Sequence, residues 1–366
     1  MNVCLGVCGM GYGHSLRESS VASELLRRGH RLALLGFGCS NEIFAERLPQ
    51  IPRFEVWRPW VPASAGGIEF GRAGADPRNR GDGVADNFRV MDAVVSLFGG
   101  APDLVISDYC PVAAQLAYAC GRPLITIDGH SKFLGYQFPS IGGFSPNEER
   151  ARLRLFFPQA ALRIAVSFFR VPWPREDEYR VELIPPILRA EFGAESAYDT
   201  TERPGSVLVY LSPYSGNPRA LEEAVSVLRE CPEWRFTVYA RGARAESLGH
   251  VAVRPFDAAA FARDLRRSAA VISNAGGNVL YEALCLGKPV LAIPFDTYEQ
   301  HCNALMIVRY GFGASCPALG RGSVVDFMER LESFRASLRE GSRGDGGLVT
   351  PQGLTPLMSF LGRFGL

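Results

Sequence analysis

Short apolar runs separated by stretches of helical spacing recur along the whole chain. This is the pattern of parallel strands buried on both faces and joined by crossover helices. Residues 3–8 read as a strand, 15–28 as a helix stopped by Gly29, and 31–35 as a second strand. Such a βαβ unit is right-handed and its sheet is parallel. Residues 103–107, 112–119 and 123–127 continue as strand, helix and strand. The pattern then restarts. Strands are expected at 206–211, 236–239, 269–272 and 290–293, with helices at 219–228, 258–267 and 279–286 between them. This alternation implies two successive doubly wound α/β domains. We expect the first over 1–190 and the second over 200–350, joined at about 185–205, where Pro185-Pro186 and the 200–205 segment interrupt the periodicity. Residues 351–366 carry a last helix, at 354–364.

Three segments stand outside this pattern. Residues 62–86, rich in Gly, Ala, Asp and Arg, are too long for a plain connection and read as a flexible loop, either beside an acceptor or without contacts. The Gly-rich stretch 340–347 reads as a mobile surface loop. Residues 153–170 interleave arginines with bulky apolar side chains. That suits a surface for lipid-linked acceptors, or core packing, which the strand-like 162–166 favours.

Composition narrows the classes. The 366 residues are 47% hydrophobic and 21% charged, which fits two globular domains. A net charge of +1 supplies no global field toward nucleic acid or anionic membrane. Nine scattered cysteines without a Cys-x-x-Cys pair read as reduced, buried thiols, and no signal-like segment opens the chain. A cytoplasmic protein is expected, as a monomer or dimer.

The richest motif is Ser273-Asn-Ala-Gly-Gly-Asn-Val-Leu-Tyr-Glu282. A strand, a glycine pair and a helix start bring backbone N–H groups and the positive end of a helix dipole to one point, a ready site for a diphosphate. Glycines there let the anion approach the backbone. Gly287-Lys-Pro, a strand ending at Pro294, Glu299-Gln300 and Asn303-Ala304 come next in order.

The block from Ser273 to Ala304 resembles the donor signature of GT-B glycosyltransferases, in particular UDP-glycosyltransferases and the peptidoglycan N-acetylglucosaminyltransferase group. The resemblance implies two Rossmann-like domains facing a central cleft, with the last helix crossing back to the first domain. It implies diphosphate contacts at Gly276, Gly277 and Asn278, ribose contacts at Glu282, and donor-sugar contacts at Glu299 and Gln300. Many relatives carry His where this chain has Asn274, whose amide offers a hydrogen bond without charge. By the same likeness Ser212 approaches the diphosphate, Arg241 supplies a cation to it, and Phe256 flanks the nucleobase.

Gly9-Met-Gly-Tyr-Gly-His14 falls short of a dinucleotide fingerprint, because His14 stands where the last glycine belongs and no acid closes the second strand. In the resembling family, Gly13-His14 looks like the general-base position of inverting enzymes. Asp108, ending a strand at the same sheet edge, would orient the imidazole, or else cap the helix after it. Asp128 and His130 face the same crevice, as acceptor contacts or, for His130, as an alternative base. Arg17 either meets an anionic acceptor or pairs with Glu18. No Asp-x-Asp triad is present, so no metal and no cofactor are expected. The reading is transfer of a sugar from a UDP- or dTDP-sugar to an acceptor hydroxyl of a small molecule or lipid. A nucleotide-sugar 2-epimerase and a non-catalytic nucleotide-sugar binder are the alternatives.

Overall fold

The computed structural model describes residues 1–171, 173–175, 179–192, 202–211, 219–295, 297–341 and 352–366. They fall into two compact units: 1–167, 171–189 and 352–366 in the first, 168–170 and 190–351 in the second.

The first unit is built on strands β1 (Asn2–Val7), β2 (Arg31–Gly36), β3 (Arg53–Glu55), β4 (Ala63–Ser64), β5 (Gly67–Ile68), β6 (Leu104–Asp108), β7 (Leu124–Asp128), β8 (Leu162–Val166) and β9 (Glu182–Ile184). Its helices are α1 (Tyr12–Arg27), α2 (Cys39–Arg47), α3 (Phe70–Ala75), α4 (Gly83–Phe98), α5 (Pro111–Ala119), α6 (Lys132–Gly135) and α7 (Asn147–Phe156). The main sheet runs β3-β2-β1-β6-β7-β8-β9 and is parallel throughout. Continuous burial along β1, β6 and β7 explains why these segments read as unbroken apolar runs rather than alternating ones. Helix α5 lies so close to β1 that a Cβ on Gly6 would sit 2.3 Å from Ala113 Cβ. Helix α4 buries Asn87, Met91, Val94 and Phe98, one face at helical spacing, and stops at Gly99 in the left-handed conformation.

The segment 62–86 is not a plain loop: β4 and β5 pair as a hairpin, α3 and a 3-10 turn come after them, and α4 begins at Gly83. The side chain of Asn79 stitches it to the backbone of Trp60, which composition alone did not reveal. In 153–170, β8 lies inside the sheet, so this part of the segment packs in the core.

The second unit holds β10 (Ser206–Leu211), β11 (Arg235–Ala240), β12 (Glu246–Leu248), β13 (Val251–Pro255), β14 (Ala270–Ser273), β15 (Val290–Ala292) and β16 (Gly313–Ser315). Its helices are α8 (Ala220–Arg229), α9 (Ala258–Arg267), α10 (Gly277–Cys285), α11 (Tyr298–Arg309), α12 (Arg321–Glu329) and α13 (Leu331–Gly341). The sheet order is β12-β13-β11-β10-β14-β15-β16, antiparallel only at β12. Helix α13 covers 340 and 341; the remainder of the 340–347 stretch lies outside the described residues. A final helix, α14 (Leu354–Gly362), belongs to the first unit, where Gly353 N donates to Pro186 O at 3.0 Å and Leu357 and Leu361 are fully buried.

Both sheets reverse direction of growth at one place, between β1 and β6 and between β10 and β14. In open α/β sheets ligands bind outside the carboxyl edge at such a switch point. Each switch carries the same irregularity. Tyr109 and Ala275, each just beyond its strand, have φ of 53° and 54°, and no other described non-glycine residue has positive φ. Such a conformation costs about 1–3 kcal/mol and marks turns whose aim matters.

Candidate active site

His14 lies in the first turn of α1 and Asp108 at the end of β6, strands β1 and β6 being neighbours with Val7 opposite Asp108. The His14 Nδ1 is 2.9 Å from Oδ1 and 3.0 Å from Oδ2 of Asp108. Asp108 is fully buried, while the His14 side chain is 21% exposed. Burial works to raise the Asp108 pKa, but Arg17 and His14 outweigh it and hold the carboxyl below its ordinary value. An ionised carboxylate only accepts, so Nδ1 carries the hydrogen, and in the neutral imidazole the lone pair is on Nε2.

Arg17 is buried, contrary to the acceptor contact considered from sequence. Its Nη2 donates to Asp108 Oδ2 at 2.6 Å and its Nε to Glu18 Oε1 at 3.1 Å. Asp108 does not cap α5, which has no side-chain cap. Two carboxylates thus share one guanidinium, and Asp108, with two donors, keeps the charge. Burial, then the nearby Asp108, push Glu18 up to about 8, and its Oε2 has no hydrogen-bond partner.

A folded-state pKa raised above 4.5 means that folding favours the protonated acid. The associated stability is full below the unfolded pKa and is lost as pH rises through the folded one. We therefore expect Glu18→Gln, neutral and similar in size, to gain thermal stability over wild type as pH is raised from 5 toward 8. Parallel melting profiles for the two proteins over that range would refute this.

His130 forms a second imidazole–carboxylate pair in the same unit. Its Nδ1 is 3.1 Å from Glu149 Oε2, and Glu149 Oε1 accepts from Arg152 at 3.0 Å. Burial opposes ionisation of Glu149, yet Arg152 and His130 bring its pKa down to about 2. The two pairs are bridged by Tyr109, whose ring lies 4.6 Å from that of His130 and whose hydroxyl donates to Glu149 Oε2 at 3.4 Å. The hydroxyl of Ser107 braces the turn, accepting from Cys110 N at 3.1 Å and donating to Cys110 O at 3.0 Å. Asp128, expected at the acceptor, is fully buried. Its oxygens accept from the backbone N–H of His130 and Ser131 and from the Ser131 hydroxyl, so it shapes the turn that presents His130. Glu149 was not singled out from sequence, since α7 lies some twenty residues beyond His130 and nothing local pairs them.

In the second unit, α10 starts at Gly277 with no side chain capping it and no acid in its first turn, which leaves its dipole end open to an anion. A Cβ on Gly276 would meet nothing within 4 Å; one on Gly277 would lie 3.0 Å from Tyr281 Oη and 3.4 Å from Glu299 Oε1. Gly277 is thus a packing glycine, whereas Gly276 has no neighbour of that kind among the described residues. Asn278 is half-buried in the first turn, and Glu282 is buried in the second. Asn274 is also buried, and its amide donates to Ile293 O at 3.3 Å, tying β14 to the end of β15. The Gln300 side chain accepts from Phe295 N at 2.8 Å, and Glu299 accepts from Asn303 Nδ2 at 2.7 Å. Asn303, fully buried, also donates to the carbonyl of the strained Ala275 at 2.9 Å. The sequence motif contained Asn303 without giving it this bracing role.

Phe256 comes directly after β13 and packs in an aromatic cluster with Tyr210, Tyr239 and Phe261. Arg241 is exposed just after β11. Both stand at the carboxyl edge that carries Ser273 and Gly276. Ser212 lies outside the described residues. A cavity of about 700 Å³ in the first unit, lined by Leu124, Leu162 and Glu182, opens at the amino ends of their strands and away from this chemistry. Among the described residues, no group of three or more His, Cys, Asp or Glu could hold a metal ion, and no helix is long and apolar enough to cross a membrane. All nine cysteines are free.

A family model described as glycosyl transferase family 1 matches residues 1–332. An uncharacterized glycosyltransferase of Methanosarcina acetivorans is 22% identical over 356 residues, covering 89% of this chain and 86% of its own. Among solved structures, Phytolacca americana UGT2 superposes with a TM-score of 0.65 at 12% identity over 100% of both chains. The spinosyn rhamnosyltransferase SpnG gives 0.62 at 16% identity, over 98% of this chain and 100% of its own. MurG of Acinetobacter baumannii gives 0.59 at 13% identity over 99% of each. These likenesses establish a GT-B fold. The chain belongs to glycosyl transferase family 1 and is a glycosyltransferase.

Proposed function

We propose that this glycosyltransferase moves a sugar from a UDP- or dTDP-sugar to an acceptor hydroxyl, with inversion and with His14 as the general base. The observation that carries the reading is the His14–Asp108 pair. An imidazole fixed through Nδ1 by a buried ionised carboxylate keeps Nε2 ready for a proton. In the step, the acceptor oxygen bonds to the anomeric carbon and its proton passes to His14 Nε2. The bond from that carbon to the diphosphate breaks, and its electron pair leaves with the nucleotide. We place the leaving diphosphate at the N-terminus of α10, where fixed dipoles act without rearrangement.

Gly276 supports that placement. Its φ of −69° suits any residue, and no atom of the described residues would meet a Cβ there, so neither backbone nor the described packing calls for glycine. A ligand pressed against the backbone does. On this reading Glu282 binds ribose hydroxyls, Glu299 and Gln300 the donor sugar, Arg241 the diphosphate and Phe256 the base, with Ser212 close to the diphosphate. SpnG has been solved with thymidine diphosphate and with spinosyn aglycone, and UGT2 with UDP-2fluoro-glucose, which supports a pyrimidine donor and a small-molecule acceptor. No cofactor enters this scheme, and a cytoplasmic setting is in keeping with it.

The test is thermal stabilisation by UDP, dTDP, GDP and ADP. A ligand at a hundred times its Kd adds about 2.7 kcal/mol, so one pyrimidine nucleotide should shift wild type clearly. Glu282→Ala, measured against its own baseline, should lose most of that shift. No shift with any nucleotide, or equal shifts in both proteins, would remove the donor assignment.

A further inference from the structure

Arg58 lies in the segment after β3, on the carboxyl side of the first sheet, and among the described residues none of its contacts is an anion. Its guanidinium stands over the Phe37 ring at 5.9 Å and over the Tyr109 ring at 5.8 Å, and Nη1 rests against the Met10 sulfur. Its Nε is buried without a hydrogen-bond acceptor. Other arginines packed into this unit have oxygen partners, carboxylates for Arg17 and Arg152 and backbone carbonyls for Arg150 and Arg163. A half-buried guanidinium held only by ring faces and a thioether has lost water without gaining a counter-charge. Its three supports all belong to the active-site region: Met10 precedes α1, Phe37 comes after β2, and Tyr109 sits next to Asp108 and touches His130. Its charge also reaches the thiols of Cys8 and Cys110 beside them.

We infer that Arg58 is an anion subsite for the acceptor, which carries a carboxylate or phosphate group on an apolar or aromatic body. This rests on the proposed function, which gives the first unit the acceptor; the donor motif lies wholly in the second. The guanidinium fork suits either oxyacid through paired N–H donors. Tyr109 then links recognition to chemistry, since one ring packs under the cation while its neighbour Asp108 orients the base. Phe37, half-buried against Arg58, offers an aromatic surface for the apolar part.

Three probes test this on the full-length protein: phenyl phosphate, benzoate and the neutral benzyl alcohol. Arginine labelling by phenylglyoxal, read by peptide mass spectrometry, should slow at Arg58 on the order of tenfold with at least one anion, because hydrogen bonds to charged groups are the strong ones. It should be unchanged with benzyl alcohol, and unchanged at the exposed Arg229 throughout. Which anion protects distinguishes carboxylate from phosphate. Calorimetry with Arg58→Met, whose side chain can keep the contacts with the rings, should show the same anion binding at least about tenfold more weakly than to wild type. Equal labelling with and without anions, equal protection by benzyl alcohol, or equal affinity in the variant would each overturn the inference. Nucleotide stabilisation is measured separately, so its presence with no anion effect would sink only the Arg58 subsite.

Discussion

Replacing His14 by alanine is expected to lower kcat by roughly a hundred- to ten-thousandfold while the nucleotide's Kd changes little. The imidazole is partly exposed, and its main protein partner, Asp108, retains Arg17 after the change, so the fold should survive with a modest loss of stability. Such a pattern is that of a group used in the transition state rather than in the ground state. The measurement is nucleotide release from a UDP- or dTDP-sugar in the presence of acceptor, beside nucleotide binding by calorimetry. If kcat stays within a few-fold of wild type, His14 is not the base, and His130, paired in the same manner with Glu149, becomes the first group to test.

Asp108→Asn should be worse in a different way, because it strikes both the base and the buried cation. The amide no longer forces the hydrogen onto His14 Nδ1; in hydrolases the comparable change costs about ten-thousandfold in kcat. Arg17 meanwhile loses its ionised partner at full burial, a loss of about 3–5 kcal/mol where nothing replaces it. Here something can. Part of what keeps Glu18 protonated is the charge on Asp108, after its own burial. With that charge gone, Glu18 can ionise and take Arg17 for itself. The destabilisation should accordingly shrink as pH is raised from 6 to 9, seen as converging melting temperatures of variant and wild type. A deficit that does not change with pH would mean the two carboxylates are not coupled.

Much of this site was legible in the sequence because its parts obey local rules. A strand ending in Asp108 and another leading to Gly9–His14 must bring their carboxyl edges together in a parallel sheet, and β1 and β6 are neighbours. The glycine pair between a strand and a helix was legible as an uncapped helix start, and α10 begins there. What stayed hidden depends on contacts across long separations. Glu149 reaches His130 from α7, and Asn303 reaches back 28 residues to Ala275. Arg17 pairs with Glu18, one of the readings its sequence allowed, and Asp128 is enclosed in its own turn. Residue type and position put them near the site, but burial turned them into supports for the groups that face it. The 62–86 segment misled by composition, since its glycines and charged residues conceal a hairpin and two short helical turns.

Tyr109 and Ala275 occupy matching places in the two sheets, each turning left-handed two residues after a Val-Ile-Ser run, at 105–107 and at 271–273. The corner is common to both sheets, while the residues that come after it differ. After Ala275 come Gly276 and Gly277, so that corner displays little beyond main chain at the start of α10. At Tyr109 the corner itself carries a large ring, so the other half offers side chains and the proton-handling groups around them. The difference between the two corners lies in how much side-chain volume each displays.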